Sequence, residues 1–234
     1  MENEKLAEMA LEQCRSQGVD YADVRVERIE DENISISNGT VEPLEQTISR
    51  GIGIRVIKNG AWGFTATDDL SEQSIREKAV MAAAIAEASS IVNKTPVALA
   101  PTDAAHEQYA TPYEIDPFSI SVDDKIAFLM DVDKAMAEAG GELLNTRNCF
   151  ASFRRRHKYF CSTEGAAISQ YLIQTGAGLA AGVTKGHRES YERSYPTSSG
   201  QFESKGFELL EELKMKEALP QLVEEVKMLL QAED

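Results

Sequence analysis

The chain has 234 residues, of which 24 are basic and 39 acidic, giving a formal net charge of −15. Nucleic-acid affinity rests mainly on Lys and Arg contacts to phosphate, so this charge argues against nucleic-acid binding. The hydrophobic share of 42% and charged share of 27% are typical of a folded globular protein, and the length favours one continuous domain. The N-terminus lacks a basic region and no apolar run approaches the roughly 18 residues of a membrane span, which predicts a cytoplasmic protein without a membrane segment.

The first third of the chain predicts one helix followed by antiparallel strands. Residues 3–17 have helical apolar spacing and end before Gly18. From Tyr21 the apolar period changes to two, as expected for half-buried strands. Two Asn-Gly pairs, at residues 38–39 and 59–60, suit the positive φ angles of hairpin turns. Strands are therefore predicted at 21–37, 44–56 and 61–67, with Gly51 and Gly53 as sites of bulges.

The middle of the chain predicts two capped helices on either side of a connection. Ser71 is placed as the N-cap of a helix that runs to about Ser89, and its alanine-rich face predicts close packing on a sheet. Residues 93–119 hold four of the seven prolines and are the best candidate for a linker, within which a strand is an alternative. A second helix is predicted from Ser121 to a glycine pair at 140–141.

The last third predicts two long strands, a loop and two helices. The strands are placed at 143–162 and 166–184, and small residues at 176–182 favour a bulge or the close approach of another backbone. The polar stretch 185–206 predicts a mobile loop. Helices are expected at 207–216 and 219–231. The predicted fold class is α+β, an antiparallel β-sheet with packed helices.

The sequence shows no local zinc or nucleophile motif. A zinc peptidase needs two histidines one helical turn apart and a nearby glutamate. The three histidines, His106, His157 and His187, are far apart, so a metal site would have to be assembled from distant segments; ordinary surface or hydrogen-bonded roles are the alternative. No catalytic residue and no metal ligand is assigned. Cys14, Cys149 and Cys161 lack CxxC spacing and are predicted to be buried thiols.

Two features are candidates for ligand contact. Arg154, Arg155 and Arg156 form the one basic cluster of an acidic chain. It is either a solvated charge run or an anchor for a carboxylate, and strand alternation would place Arg154 and Arg156 on one face. Trp62, the sole tryptophan, is either a core residue or the lining of a cleft.

Several segments together resemble the TldD/PmbA family, also known as modulators of DNA gyrase. They are Tyr21-Ala-Asp-Val-Arg25, the Ile-Ser-Asn-Gly segment ending at Gly39, Arg50-Gly-Ile-Gly-Ile-Arg-Val56, Asn59-Gly-Ala-Trp-Gly-Phe64 and Phe160-Cys-Ser-Thr-Glu-Gly165. The fourth is more similar to the TldD branch. Arg55 and Phe64 belong to these segments and join Trp62, Arg154 and Arg156 as expected contacts for a peptide or a partner.

The resemblance implies an N-terminal α/β domain, here residues 1–234 with a division near 93–119 as the alternative. It also implies a β-rich catalytic domain with an H-E-x-x-x-H zinc motif and a cysteine ligand, which is expected beyond this chain. The chain by itself is thus expected to hold no cofactor and to be inactive, with zinc in the absent C-terminal domain.

The resemblance further implies that TldD-type and PmbA-type subunits pair and degrade unfolded or small peptides. Two roles follow for this chain. The first is substrate handling, in which a peptide adds to an exposed strand edge. The second is a subunit-pairing module in a homo- or heterodimer, docked through the apolar face of its terminal helices. A third role, an independent hydrolase with a dispersed site, is also open.

Overall fold

The computed structural model describes residues 2–185 and 189–232, which form five helices and nine strands. The helices are α1 (Glu2–Ser16), α2 (Glu72–Ser90), α3 (Val122–Gly140), α4 (Glu208–Glu212) and α5 (Met215–Gln231). The strands are β1 (Tyr21–Ser37), β2 (Thr40–Val41), β3 (Glu45–Lys58), β4 (Ala61–Thr67), β5 (His106–Ala110), β6 (Thr146–Ser162), β7 (Ala167–Lys185), β8 (Glu189–Tyr195) and β9 (Gln201–Glu203). The α+β prediction is confirmed.

The strands follow the order β4-β3-β1-β6-β7-β5, with β2 paired to β1 and with β8 and β9 paired to β7. The hairpin of β3 and β4 is antiparallel, whereas β5 runs parallel to β7. The chain divides into two compact units. Unit 1 comprises Met1–Glu30, Ile48–Ala110 and Arg156–Leu172, and unit 2 comprises Asp31–Thr47, Thr111–Arg155 and Ile173–Asp234.

Local chemistry sets the predicted turns and caps. Asn38, Gly39, Asn59 and Gly60 all have positive φ angles, as type I′ turns require. The hydroxyl oxygens of the residues before α2 and α3, Ser71 and Ser121, accept the N–H of the residue three positions on.

Unit 1 has its core between its two helices and one face of its strands. The alanine face of α2 is buried, and the predicted close packing on the sheet is confirmed at Gly63 in β4. A Cβ on Gly63 would lie 2.0 Å from the Ala82 carbonyl oxygen and 2.6 Å from the Ala86 nitrogen. The helix therefore rests directly on the backbone of β4.

Unit 2 has a larger core that includes the apolar side of α5. Leu219, Leu222, Val223 and Val226 are all at most 5% exposed and belong to the same cluster as Phe153. The terminal helices thus bury the apolar face that was expected to dock on a partner, and that part of the pairing hypothesis is wrong.

A buried carboxylate joins two segments of unit 2. Glu208 in α4 accepts the backbone N–H groups of Gly206 at 2.8 Å, Ile115 at 3.0 Å and Glu114 at 3.2 Å. Burial acts to raise the pKa of this carboxyl, but the backbone donors outweigh it and hold the pKa below its usual value.

Three sequence expectations need correction. The stretch 185–206, predicted to be a loop, contains β8 and β9, although residues 186–188 lie outside the described residues. Gly182 of β7 allows this pairing, because a Cβ there would lie 2.3 Å from the Tyr191 carbonyl oxygen. Gly53 forms no bulge, since the register is regular from Ile52 to Lys58. The last helix begins at Met215 and includes Pro220, rather than beginning near residue 219.

Candidate functional site

An apolar groove of ≈560 Å³ lies on the strands of unit 1. Strand alternation creates it, because Ile52, Ile54 and Val56 point into the core and leave the odd-numbered residues of β3 on the other face. The groove is lined by residues of β1, β3, β4 and the segments next to them: Arg25, Glu27, Ile29, Ser49, Arg50, Gly51, Ile52, Gly53, Phe64, Ala66, Thr67 and Asp68.

Phe64 and two glycines give this groove its shape. Phe64 is 59% exposed and lines the groove, so its aromatic ring is accessible to a ligand. Phe64 stands opposite Arg55 in the register of β3 and β4. A Cβ on Gly53 would lie 3.5 Å from Cε2 of the Phe64 ring. Gly51 and Gly53 thus leave the backbone of β3 without side chains at two positions of the groove, next to the exposed ring of Phe64.

A buried carboxylate with two arginines lies at one end of the groove. Asp23 is fully buried, and its Oδ1 accepts from Arg25 Nη1 at 2.5 Å. Its Oδ2 accepts from Arg55 Nε at 2.8 Å and lies 2.7 Å from Arg55 Nη2. The cluster contains two guanidinium groups and one carboxylate, so it keeps one net positive charge.

Aromatic rings back both guanidinium groups. The Cζ atom of Arg55 lies 4.6 Å from the ring centroid of Trp62, and that of Arg25 lies 4.9 Å from the centroid of Phe160. Tyr21 packs edge-on against Trp62 with centroids 6.1 Å apart. Burial, together with the nearby Asp23 carboxylate, raises the pKa of Tyr21 to about 12, so its hydroxyl stays protonated.

The groove adjoins an open edge of the sheet. Strand β4 is the terminal strand of the sheet order, and its pairing with β3 ends at Ile52 and Thr67. Strand β3 continues in the N-terminal direction, so residues 48–51 have no β4 partner among the described residues. Backbone groups on this side are available to an added strand.

Comparison with known proteins identifies the family to which the chain belongs. A sequence model described as PmbA/TldA metallopeptidase domain 1 matches residues 22–86, and one described as the PmbA/TldA metallopeptidase central domain matches residues 115–231. The chain belongs to the PmbA/TldD metallopeptidase family. A metalloprotease of Methanocaldococcus jannaschii is 25% identical over 119 residues, covering 51% of this chain and 26% of its own length.

Two solved structures of this family's fold are similar. TldE from Thermococcus kodakarensis matches with a TM-score of 0.65 and 14% identity over 97% of this chain and 47% of its own. A protein proposed to modulate DNA gyrase, from Thermotoga maritima, matches with a TM-score of 0.71 and 15% identity over 98% of this chain and 49% of its own. The matched residues therefore cover about half the length of each of these structures and about a quarter of the archaeal metalloprotease.

The structure brings together three of the five contact residues expected from the sequence. Arg55, Trp62 and Phe64 lie at one end of the groove. Arg154 lies in unit 2, where its Nε donates to Asp31 Oδ1 at 2.5 Å. Arg156 lies in unit 1, and its buried Nε has no hydrogen-bond partner in the described part of the chain.

Sequence reasoning missed the residues that organise this family member's groove. Asp23 and Arg25 belong to the segment Tyr21-Ala-Asp-Val-Arg25, but they are not among the contact residues predicted from the sequence. The available signal was that an acidic and a basic residue two positions apart share one strand face. The sequence did not show that this face meets Arg55, which lies 32 positions from Asp23.

The described residues contain no candidate site for the zinc that the family resemblance implies. Within residues 2–185 and 189–232, no group of three or more His, Cys, Asp and Glu side chains is arranged to hold a metal ion. His157 packs edge-on against Tyr171 with ring centroids 4.5 Å apart, and His187 lies outside the described residues.

The predicted buried thiols are confirmed. Cys14, Cys149 and Cys161 are free and buried. Burial raises the pKa of each of these thiols to about 12, so all three remain neutral at physiological pH.

A second cleft of unit 1, of ≈690 Å³, lies at the first turn of α1 and is more polar. Its two arginines are already ion-paired, Arg28 with Glu30 and Arg50 with Glu2 at 3.4 Å. The apolar groove, with its unpaired strand edge, is the better candidate for ligand binding. No helix of the described residues is both long and apolar enough to cross a membrane.

Proposed function

We propose that this chain binds extended, unfolded peptides along the groove of unit 1 and so handles substrate for a zinc metallopeptidase of its family. The observation that carries the proposal is the open strand edge of β3 and β4 beside an exposed apolar groove. An unfolded peptide has unpaired backbone groups, which such an edge satisfies irrespective of sequence. Side-chain contacts with Phe64 would then add affinity.

Cleavage is assigned to residues beyond this chain. Attack on a peptide carbonyl would require a zinc-activated water, and the described residues offer no metal site for it. Within this proposal the protein works in the cytoplasm, as a dimer with a second TldD/PmbA-type subunit.

Subunit pairing without peptide contact is the second candidate function. The sequence favoured this function because of the apolar face of α5, but that face is buried in unit 2. A different surface supports it, namely the outer side of α2 and the residues after it. Apolar side chains exposed there are Val80, Met81, Ile85, Ile91 and Val92.

The sole tryptophan provides the test. Trp62 lies beside Arg55, so its fluorescence should respond to a ligand in the adjacent groove. Titration of the chain with an unfolded peptide is expected to give a saturable change. The variant Phe64→Ala should weaken binding about tenfold, because it removes an exposed aromatic contact worth about 1.4 kcal/mol.

Phe202→Ala is the matched control, since Phe202 has a similar exposure of 56% but lies in unit 2. It should leave binding unchanged. Absence of saturable binding would refute substrate handling by this groove. Equal losses in the two phenylalanine variants would place the peptide elsewhere.

A further inference from the structure

The free edge of β3 begins where strand β4 ends. The pairing of β4 with β3 stops at Ile52 and Thr67, while β3 continues in the N-terminal direction. An extended peptide on this edge therefore occupies the line that a longer β4 would follow. One end of the peptide then lies next to Asp68, which directly follows β4 and lines the groove.

The direction of the peptide decides which of its ends lies next to Asp68. A peptide antiparallel to β3 runs in the direction of β4, so its N-terminus lies beside Asp68. A peptide parallel to β3 places its C-terminus there instead. At neutral pH a free α-amino group is mostly positive, whereas a C-terminal carboxylate is negative. The charge around Asp68 therefore favours one of the two directions.

Two carboxylates make this end of the groove negative. Asp68 is exposed and makes neither a hydrogen bond nor an ion pair within the described residues. The next residue, Asp69, accepts the backbone N–H of Ser71 at 3.0 Å. This hydrogen bond holds the pKa of the Asp69 carboxyl below its usual value, so Asp69 is charged at neutral pH as well.

The other charges of the groove lining are offset by neighbours. Arg50 is near the same end, but its Nη2 is paired with Glu2 at 3.4 Å. Arg25 is paired with Asp23 at 2.5 Å. The positive charge that the Asp23 cluster retains is accompanied by Glu27, which follows Arg25 on the same face of β1. The excess charge at the end of β4 is therefore negative.

We propose that the groove binds the free N-terminal end of an extended peptide, which runs antiparallel to β3 and places its α-ammonium group beside Asp68. This inference rests on the proposed function and adds a direction and a substrate class to it. The free edge in unit 1 comprises residues 48–51, so about four peptide residues pair with it. A C-terminus beside Asp68 would be repelled.

Fluorescence anisotropy with three peptides of the same unfolded sequence tests this inference. Each peptide carries a dye near its C-terminus. The first has a free N-terminus, the second is N-acetylated, and the third is N-acetylated with Lys as its first residue. The first peptide is expected to bind about fivefold more tightly than the second, as one exposed pair of opposite charges allows. The third should bind like the second.

Each alternative result has a definite meaning. Binding of the first two peptides within twofold of each other overturns the inference while the proposed function stands. Equal affinity of the first and third peptides shows that any ammonium group is sufficient, and it overturns the assignment to the N-terminus. Absence of binding by every peptide overturns both the inference and the proposed function.

Salt separates a charge effect from a steric effect of the acetyl group. The difference between the first two peptides should narrow when NaCl is raised from about 0.05 M to about 0.5 M, because exposed charges are screened. A difference that does not change with salt would overturn the pairing with a carboxylate.

Two variants of the full chain locate the effect. Asp68→Asn should bring the first two peptides within about twofold of each other and leave the affinity of the acetylated peptide unchanged, without loss of thermal stability, since the fold makes no use of this carboxylate. Asp103→Asn is the matched control, because Asp103 is an exposed carboxylate of unit 1 outside the groove lining. It should keep the fivefold difference. A fivefold difference preserved in Asp68→Asn would overturn the role of Asp68.

Discussion

Lys125 in α3 is the most deeply buried charge of unit 2 and the most informative position for a stability test. Its Nζ lies 2.5 Å from Glu32 Oε1, and the two side chains are 1% and 6% exposed. The ammonium group also lies 4.6 Å from the ring centroid of Phe153. We expect Lys125→Met to destabilise the protein strongly, because it leaves the Glu32 carboxylate buried without its counter-charge.

The expected loss of stability in Lys125→Met depends on the contacts that Glu32 keeps in the variant. Removing one partner of a buried ion pair typically costs 3–5 kcal/mol, but the Gln46 amide still donates to Glu32 Oε2 at 2.6 Å. The lower end, about 3 kcal/mol, is therefore expected, and at this chain length it corresponds to a fall in Tm of about 6 to 12 °C. Adding Glu32→Gln removes the stranded charge and should recover about 2 kcal/mol.

Urea unfolding followed by circular dichroism measures these free energies. Lys134→Met is the matched control, because Lys134 lies on the same helix but forms an exposed pair with Glu138 at 3.9 Å. This control should change the free energy of unfolding by less than about 0.5 kcal/mol. A loss below about 1 kcal/mol for Lys125→Met, or no recovery in the double variant, would refute the account of a buried, mutually dependent pair.

Two further predictions concern stability. Gly63→Ala should lower the free energy of unfolding by about 2 to 3 kcal/mol, because its Cβ would lie 2.0 Å from the backbone of α2. Gly53→Ala is the control and should be neutral or stabilising in the same thermal or urea unfolding experiment. Equal effects of the two variants would contradict the packing of α2 on β4. The free energy of unfolding should also fall as pH rises from about 9 towards 12. Burial raises the pKa of the Cys149 thiol to about 12 in the folded protein, so between these pH values the thiol ionises in the unfolded chain but stays protonated in the folded one, which favours unfolding. Urea midpoints at about pH 8 and 10.5 should differ less in Cys149→Ala than in the unchanged chain, and an equal difference would exclude this thiol as a cause.

Short-range features of this fold were predictable from the sequence. The Asn-Gly turns follow from the ease with which these residues adopt positive φ, and the starts of α2 and α3 follow from serine hydroxyls that accept a nearby N–H. Strand β8 was not predicted, because its polar sequence shows no apolar alternation. It is held by backbone pairing with β7, which Gly182 permits through its lack of a side chain.

The sequence by itself determined the fold class, the family resemblance, and Arg55, Trp62 and Phe64 as neighbours of one hairpin. Only the tertiary structure decided that Asp23 lies buried against Arg55 and that Glu32 pairs with Lys125, 93 positions away. Turns and caps depend on interactions over three or four residues, which a sequence shows directly. Charge pairs between distant segments depend on which elements become neighbours, and that is fixed by packing of the whole chain.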